Sequence, residues 1–157
     1  MGRITTVLLL IGMSLLSGNA LAAAQYSYTG STFTDFNPAS SSNVFWPSGF
    51  ASGTFTVDTP LPGNLSASDI SGDLSSYRFS AGGGSVLTEA NSLVVAFRIT
   101  TDGSGNITGW LIWVSSPVTA VGDLADIIEL RNPNGDIVYE NSACLRVTPA
   151  GACNAVD

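Results

Sequence analysis

The chain has 157 residues and twelve acids against five arginines, with no lysine and no histidine, for a net charge of −7. The clustered cations that a phosphate backbone requires are missing, so no nucleic-acid partner is expected. Without histidine there is no serine or cysteine hydrolase triad, few zinc sites remain, and without lysine there is no Schiff-base chemistry.

The first element is an export signal over residues 1–24. Arg3 gives a positive start, an apolar run covers residues 7–16, and Ala20-Leu21-Ala22 or Ala22-Ala23-Ala24 offers small residues for cleavage. The run is about half the ~20 residues that span a bilayer, so no stable membrane insertion is expected once the signal is removed. No cysteine stands at its end to carry a lipid. Residues 25–157 then form a single domain, secreted or periplasmic, with four arginines against twelve acids and a net charge of −8. A domain of that size buries roughly two-thirds of its unfolded surface.

Beyond the signal, short runs rich in Thr, Val, Ile, Phe and Tyr alternate with Gly, Asn, Ser and Pro, which predicts an all-β chain. Residues 26–34 place Tyr26 and Tyr28 on one face. Residues 49–57 place Phe55 and Val57 against Thr54 and Thr56. Pro60, Pro62 and Gly63-Asn64 break any ladder, so residues 58–73 read as a connection with one short helical turn. Residues 76–81 and 85–89 flank Gly82-Gly83-Gly84 as a hairpin. In residues 93–101, Leu93, Val95, Phe97 and Ile99 share one face and Val94, Ala96, Arg98 and Thr100 the other. Residues 107–114 are apolar on both faces, as in a central strand. Pro133-Asn134-Gly135 then turns a last hairpin within residues 126–140. Eight or nine strands at this spacing predict an antiparallel two-layer β-sandwich.

Between residues 101 and 107, Asp102, Ser104 and Asn106 supply oxygens at the alternate positions of a calcium loop. The sixth position is Ile107 and the twelfth Trp113, where such a loop needs Gly and a bidentate Glu. Gly103 and Gly105 instead suit a tight turn. A turn is therefore expected, with no metal and no cofactor. Cys144 and Cys153 have no histidine to share a metal with, and in an exported chain they are expected to form a disulfide.

"ASGTFTVDTPLPGNL", "SYRFSAGGG", "LTEANS" and "FRITTDGSGNITGWLIWV" together resemble the N-terminal globular region of exported bacterial proteins of the PEP-CTERM, exosortase-sorted kind. The likeness covers residues 26–114. It implies a β-rich exported architecture and brings no catalytic residues with it. A Pro-Glu-Pro signal, an apolar helix and a basic tail are absent from the sequence up to Asp157, so membrane sorting by that route is not expected.

For an enzyme, a carboxylate pair drawn from Glu89, Glu129 and Glu140 would have to carry the chemistry, as in glycoside hydrolysis. None has a recognisable setting, and Glu129 reads as a solvent-facing strand residue that can pair across the hairpin with Arg131 or a neighbour. Trp110 and Trp113 lie three apart on one strand, hence on opposite faces. The binding candidates are Trp46, Tyr28 and Trp110. The expectation is a non-catalytic exported protein of the cell envelope or extracellular matrix, with extracellular polysaccharide or matrix components as partners. The alternative is a carbohydrate-binding module that uses exposed aromatics.

Overall fold

A computed structural model describes residues 3–7, 22–32, 49–82, 84–132 and 135–156. The chain is all-β, in two antiparallel sheets that face each other across an aromatic core. The first holds five strands in the order β1 (Arg3–Val7), β2 (Ala24–Thr32), β3 (Phe50–Val57), β5 (Leu74–Ser80) and β6 (Val86–Thr88). The second has six, in the order β11 (Cys153–Val156), β10 (Ile137–Val147), β9 (Leu124–Arg131), β8 (Ile107–Ser115), β7 (Leu93–Thr101) and β4 (Ser68–Asp69). One turn of 3₁₀ helix, Ser71–Asp73, sits where the connection between β3 and β5 was expected to hold one.

Alternation along each strand decides what enters the core. Tyr26 and Tyr28 of β2, Phe55 and Val57 of β3, and Tyr77 and Phe79 of β5 point inward from one sheet. Phe97 and Ile99 of β7, Trp110, Ile112 and Val114 of β8, and Ile128 and Leu130 of β9 meet them from the other. Phe97 joins the layers, its ring 4.9 Å from Phe55 and 6.2 Å from Phe79. Each such side chain, taken fully from water, contributes about 1.5–3 kcal/mol. β8 is central, between β7 and β9, which explains its apolar residues on both faces.

Three features depart from the sequence reading. There are eleven strands among the described residues, because β1, β4 and β11 carry no periodicity long enough to read. β1 lies inside the segment read as an export signal and pairs with β2 from Arg3↔Thr29 to Val7↔Gln25. In β7 the ladder shifts between Val94 and Ala96, so Val94, not Val95, opposes Val114 and packs on the core. A bulge of this kind resets the two-residue period midway along a strand.

The second sheet also curls at one end around a smaller core. Val118, Ala125, Ile127, Cys144 and Cys153 are buried there, with Trp113, Tyr139, Val147 and Val156 packed against them. The continuation of β8 meets the start of β11 through a Pro117↔Ala152 bridge and the Val118 N–H to Gly151 O bond of 2.8 Å. Cys144 and Cys153 are bridged, with Cα atoms 5.7 Å apart and both residues fully buried. This corner holds the last part of the chain together. Replacing both cysteines by serine should cost about 2–3 kcal/mol on the chain-entropy estimate for so short a loop. Hydrogen exchange should then rise at residues 116–124 and 142–156 and stay unchanged in β3 and β7. Uniform acceleration across both sheets would contradict a separate corner.

Candidate functional site

The aromatics singled out from the sequence fall in different places. Trp46 lies outside the described residues. Tyr28 and Trp110 are core residues, 3% and 9% exposed, set edge to face with ring centres 5.6 Å apart. Neither ring offers a face to a ligand, which corrects the expectation for both. Parity explains the outcome, since Trp110 shares its side of β8 with Ile112 and Val114, and Tyr28 its side of β2 with Tyr26.

Tyr28 instead closes a polar contact between the two layers. Its hydroxyl donates to the Asp136 carboxylate, which also accepts the Arg131 backbone N–H at 3.3 Å. Burial pushes the Asp136 carboxyl above its ordinary range, against the pull of the Tyr28 bond. Burial first, and then Asp136, raises the Tyr28 hydroxyl as well. Gly30 is needed beside this pair, because a Cβ there would overlap Asp136 Oδ2. The contact therefore ties β2 to the β9–β10 hairpin. Gly135 in that hairpin has φ +84°, as its expected turn requires.

The three glutamates are each engaged in holding the fold. Glu89 Oε2 accepts the Tyr77 N–H at 3.1 Å, and Glu140 Oε1 accepts the Ser85 N–H at 2.8 Å. Glu129 meets Arg131 through two contacts, Nε–Oε1 at 3.0 Å and Nη2–Oε2 at 3.2 Å. Its pairing is as the sequence suggested, but its exposure is not. Glu129 is only 9% exposed, and burial raises its carboxyl despite the attraction of Arg131. The strand period places it correctly on the side away from the main core, and that side is partly covered.

That outer side of the six-stranded sheet is the surface that sequence reasoning passed over. The register aligns Ala96, Trp113, Glu129 and Ile137 in one row across β7 to β10. A neighbouring row runs from Asp69 through Arg98 and Leu111 to Arg131. Half-buried Leu111, Trp113 and Ile137 thus lie beside two guanidinium groups and two carboxylates. Trp113 leans its indole on the smaller core and is half-buried, so on this face it is the guanidinium groups, planar and multiply donating, that can hydrogen-bond to hydroxyls. The signal was present in the sequence: two-residue alternation separates Trp113 from Ile112 and Val114.

The segment after β7 is a hairpin turn, with β7 and β8 pairing antiparallel across it. Asp102 Oδ1 accepts the N–H groups of Ser104 and Asn106, and Oδ2 accepts the Asn106 side-chain amide. These bonds, the Asn106 side chain foremost, hold the Asp102 carboxyl below its usual range. Gly105, at φ +84°, lies against the β3–β4 connection, and a Cβ there would stand 2.7 Å from Leu61 O. Millimolar calcium should therefore leave the melting temperature unchanged, since a ligand that does not bind the native state cannot shift unfolding. A calcium-dependent rise that disappears in Asp102→Ala would show a metal loop instead. Among the described residues, no group of three or more Cys, Asp or Glu side chains is placed to hold a metal ion. Compared with protein-family models, with curated proteins and with solved structures, the chain matches none.

Proposed function

We propose that the chain is an exported, non-catalytic β-sandwich protein of the cell envelope or extracellular matrix, secreted or periplasmic. The observation that carries this reading is the use of Glu89, Glu129 and Glu140. Each glutamate that could have served as acid, base or nucleophile is bonded to a backbone N–H or to Arg131. The buried disulfide suits an oxidising compartment. The likeness to N-terminal regions of exosortase-sorted proteins points the same way. Among the described residues no helix is long and apolar enough to cross a membrane. Fractionation of cells that express an epitope-tagged chain tests the reading. The protein should be recovered outside the cytoplasm with its N-terminus near Ala23 or Gln25, and it should turn over no glycoside. Cytoplasmic protein that still begins at Met1, or hydrolysis of a glycoside, would overturn it.

The row through Trp113 favours a second reading, in which the outer face of the six-stranded sheet binds carbohydrate. A glycan array should then give a ligand whose binding quenches tryptophan fluorescence and is lost in Arg98→Ala. Arg98 is exposed, so its loss leaves the core intact. Binding that survives Arg98→Ala would move the contact away from this face.

A further inference from the structure

The two sheets have unequal edges. β6 has three residues and β4 two, while β11 has four and is anchored at its start by the Pro117↔Ala152 bridge. Short or anchored edges resist pairing with other chains. The remaining edge is different. Beneath β1 lies β2, nine residues long, and β1 covers it in antiparallel register over residues 25–29. β1 consists wholly of residues that the export reading removes, so among the described residues processing leaves β2 as the edge of its sheet. We propose that this edge is a self-association site, where β2 of one processed chain pairs antiparallel with β2 of a second copy. The inference rests on the export reading for the removal of β1.

The composition of β2 argues for a second copy. A two-fold axis at Ser27 sets Gln25 opposite Thr29, Tyr26 opposite Tyr28, and Ser27 opposite itself. This covers the same five positions that β1 occupies. Gln25 and Thr29 are exposed, while Tyr26 and Tyr28 are buried in the core of their own chain. The pairing therefore needs no repacking, and the facing side chains are neutral and can hydrogen-bond. Residues 25–29 hold no charged side chain, no proline and no bulge of the kind that protects long edges. An isologous contact of this sort closes at a dimer, which joins two four-stranded sheets into one of eight.

Analytical ultracentrifugation of the processed chain, recovered from the exporting host, tests the proposal. A dimer is expected, shifting to monomer when a peptide with the sequence of residues 3–7 is added in excess. Combining Gln25→Lys with Thr29→Lys puts lysine opposite lysine at both outer pairs and should give a folded monomer with the circular dichroism spectrum of the parent chain, melting lower only by what association contributed. Combining Gln25→Lys with Thr29→Glu puts opposite charges across the same pairs and should restore the dimer. A processed chain that stays monomeric at all concentrations would overturn the proposal, as would a dimer indifferent to the lysines. A secreted chain that still carries residues 1–24 would instead refute the export reading, which N-terminal sequencing decides separately.

Discussion

Gly53→Ala should lower the melting temperature by about 10 °C. Gly53 lies in the middle of β3, opposite Tyr28 of β2 on one side and Phe79 of β5 on the other. A Cβ at this position would overlap Phe79 Cδ1 and the Arg78 carbonyl oxygen and come within 3.0 Å of the Phe79 Cα. Phe79 is fully buried and stacked with Tyr77, so its ring has nowhere to go. The carbonyl is backbone of β5, which is paired with β3 on one side and β6 on the other, so it can retreat only by moving a paired strand. Overpacking costs ~1–3 kcal/mol, and a clash with both ring and backbone belongs at about 3 kcal/mol. At roughly 3–4 °C per kcal/mol for a domain of this length, that gives the stated shift. Gly72→Ala is the control, because nothing lies within 4 Å of a Cβ there and its φ is ordinary. If the two variants melt alike, the close approach of β3 to β5 is wrong.

Gly53 also shows why some of the fold was legible and some was not. Its strand could be read from Phe55 and Val57 alternating with Thr54 and Thr56, and the structure keeps that assignment. The need for glycine could not be read, because it arises from β5, a chain segment over twenty residues away. The same division holds at the candidate site. Alternation separated Trp110 from Trp113, but choosing Trp110 as the exposed ring ignored its shared parity with Ile112 and Val114. Glu129 was correctly assigned to the side away from the main core. Its burial was missed, because one strand's period tells which side a residue faces and nothing of what covers that side. The small disulfide corner was unreadable for a related reason. It is assembled from β9, β10, β11 and the continuation of β8 by a curl that no single segment encodes. At β1 the conflict is of another kind, because Arg3–Val7 lies in the start of the export signal and its Ile, Thr and Val also suit a strand.

Stability should rise as pH falls through the raised range of two buried carboxyls toward the ordinary carboxylate range, a direction opposite to that of most acid-sensitive domains. The cause is a pair of carboxyls that burial pushes upward, Asp136 from an ordinary value of 3.8 and Glu129 from 4.5. Between its unfolded and folded values, each group binds its proton more tightly in the native state. Unfolding then becomes easier as pH rises. Their contribution is fully present below the unfolded values and is lost as pH climbs through the raised ones. Asp69, Asp102 and Asp123 act in the opposite sense, because hydrogen bonds hold them below 3.8. What they contribute is present above 3.8 and disappears as pH falls through their lowered values. The two windows do not overlap, so the melting temperature should pass through a maximum between them. Relief of the chain's net negative charge adds to the rise on the alkaline side. Asp136→Asn separates the local cause from the general one, because it keeps an oxygen for the Tyr28 hydroxyl and removes the titration. Thermal melts from pH 3 to 8 should show a shallower alkaline slope in Asp136→Asn, and shallower again with Glu129→Gln added. An unchanged slope in the double variant would leave charge repulsion as the whole effect, and the Tyr28–Asp136 contact would no longer be the titrating tie between the two sheets.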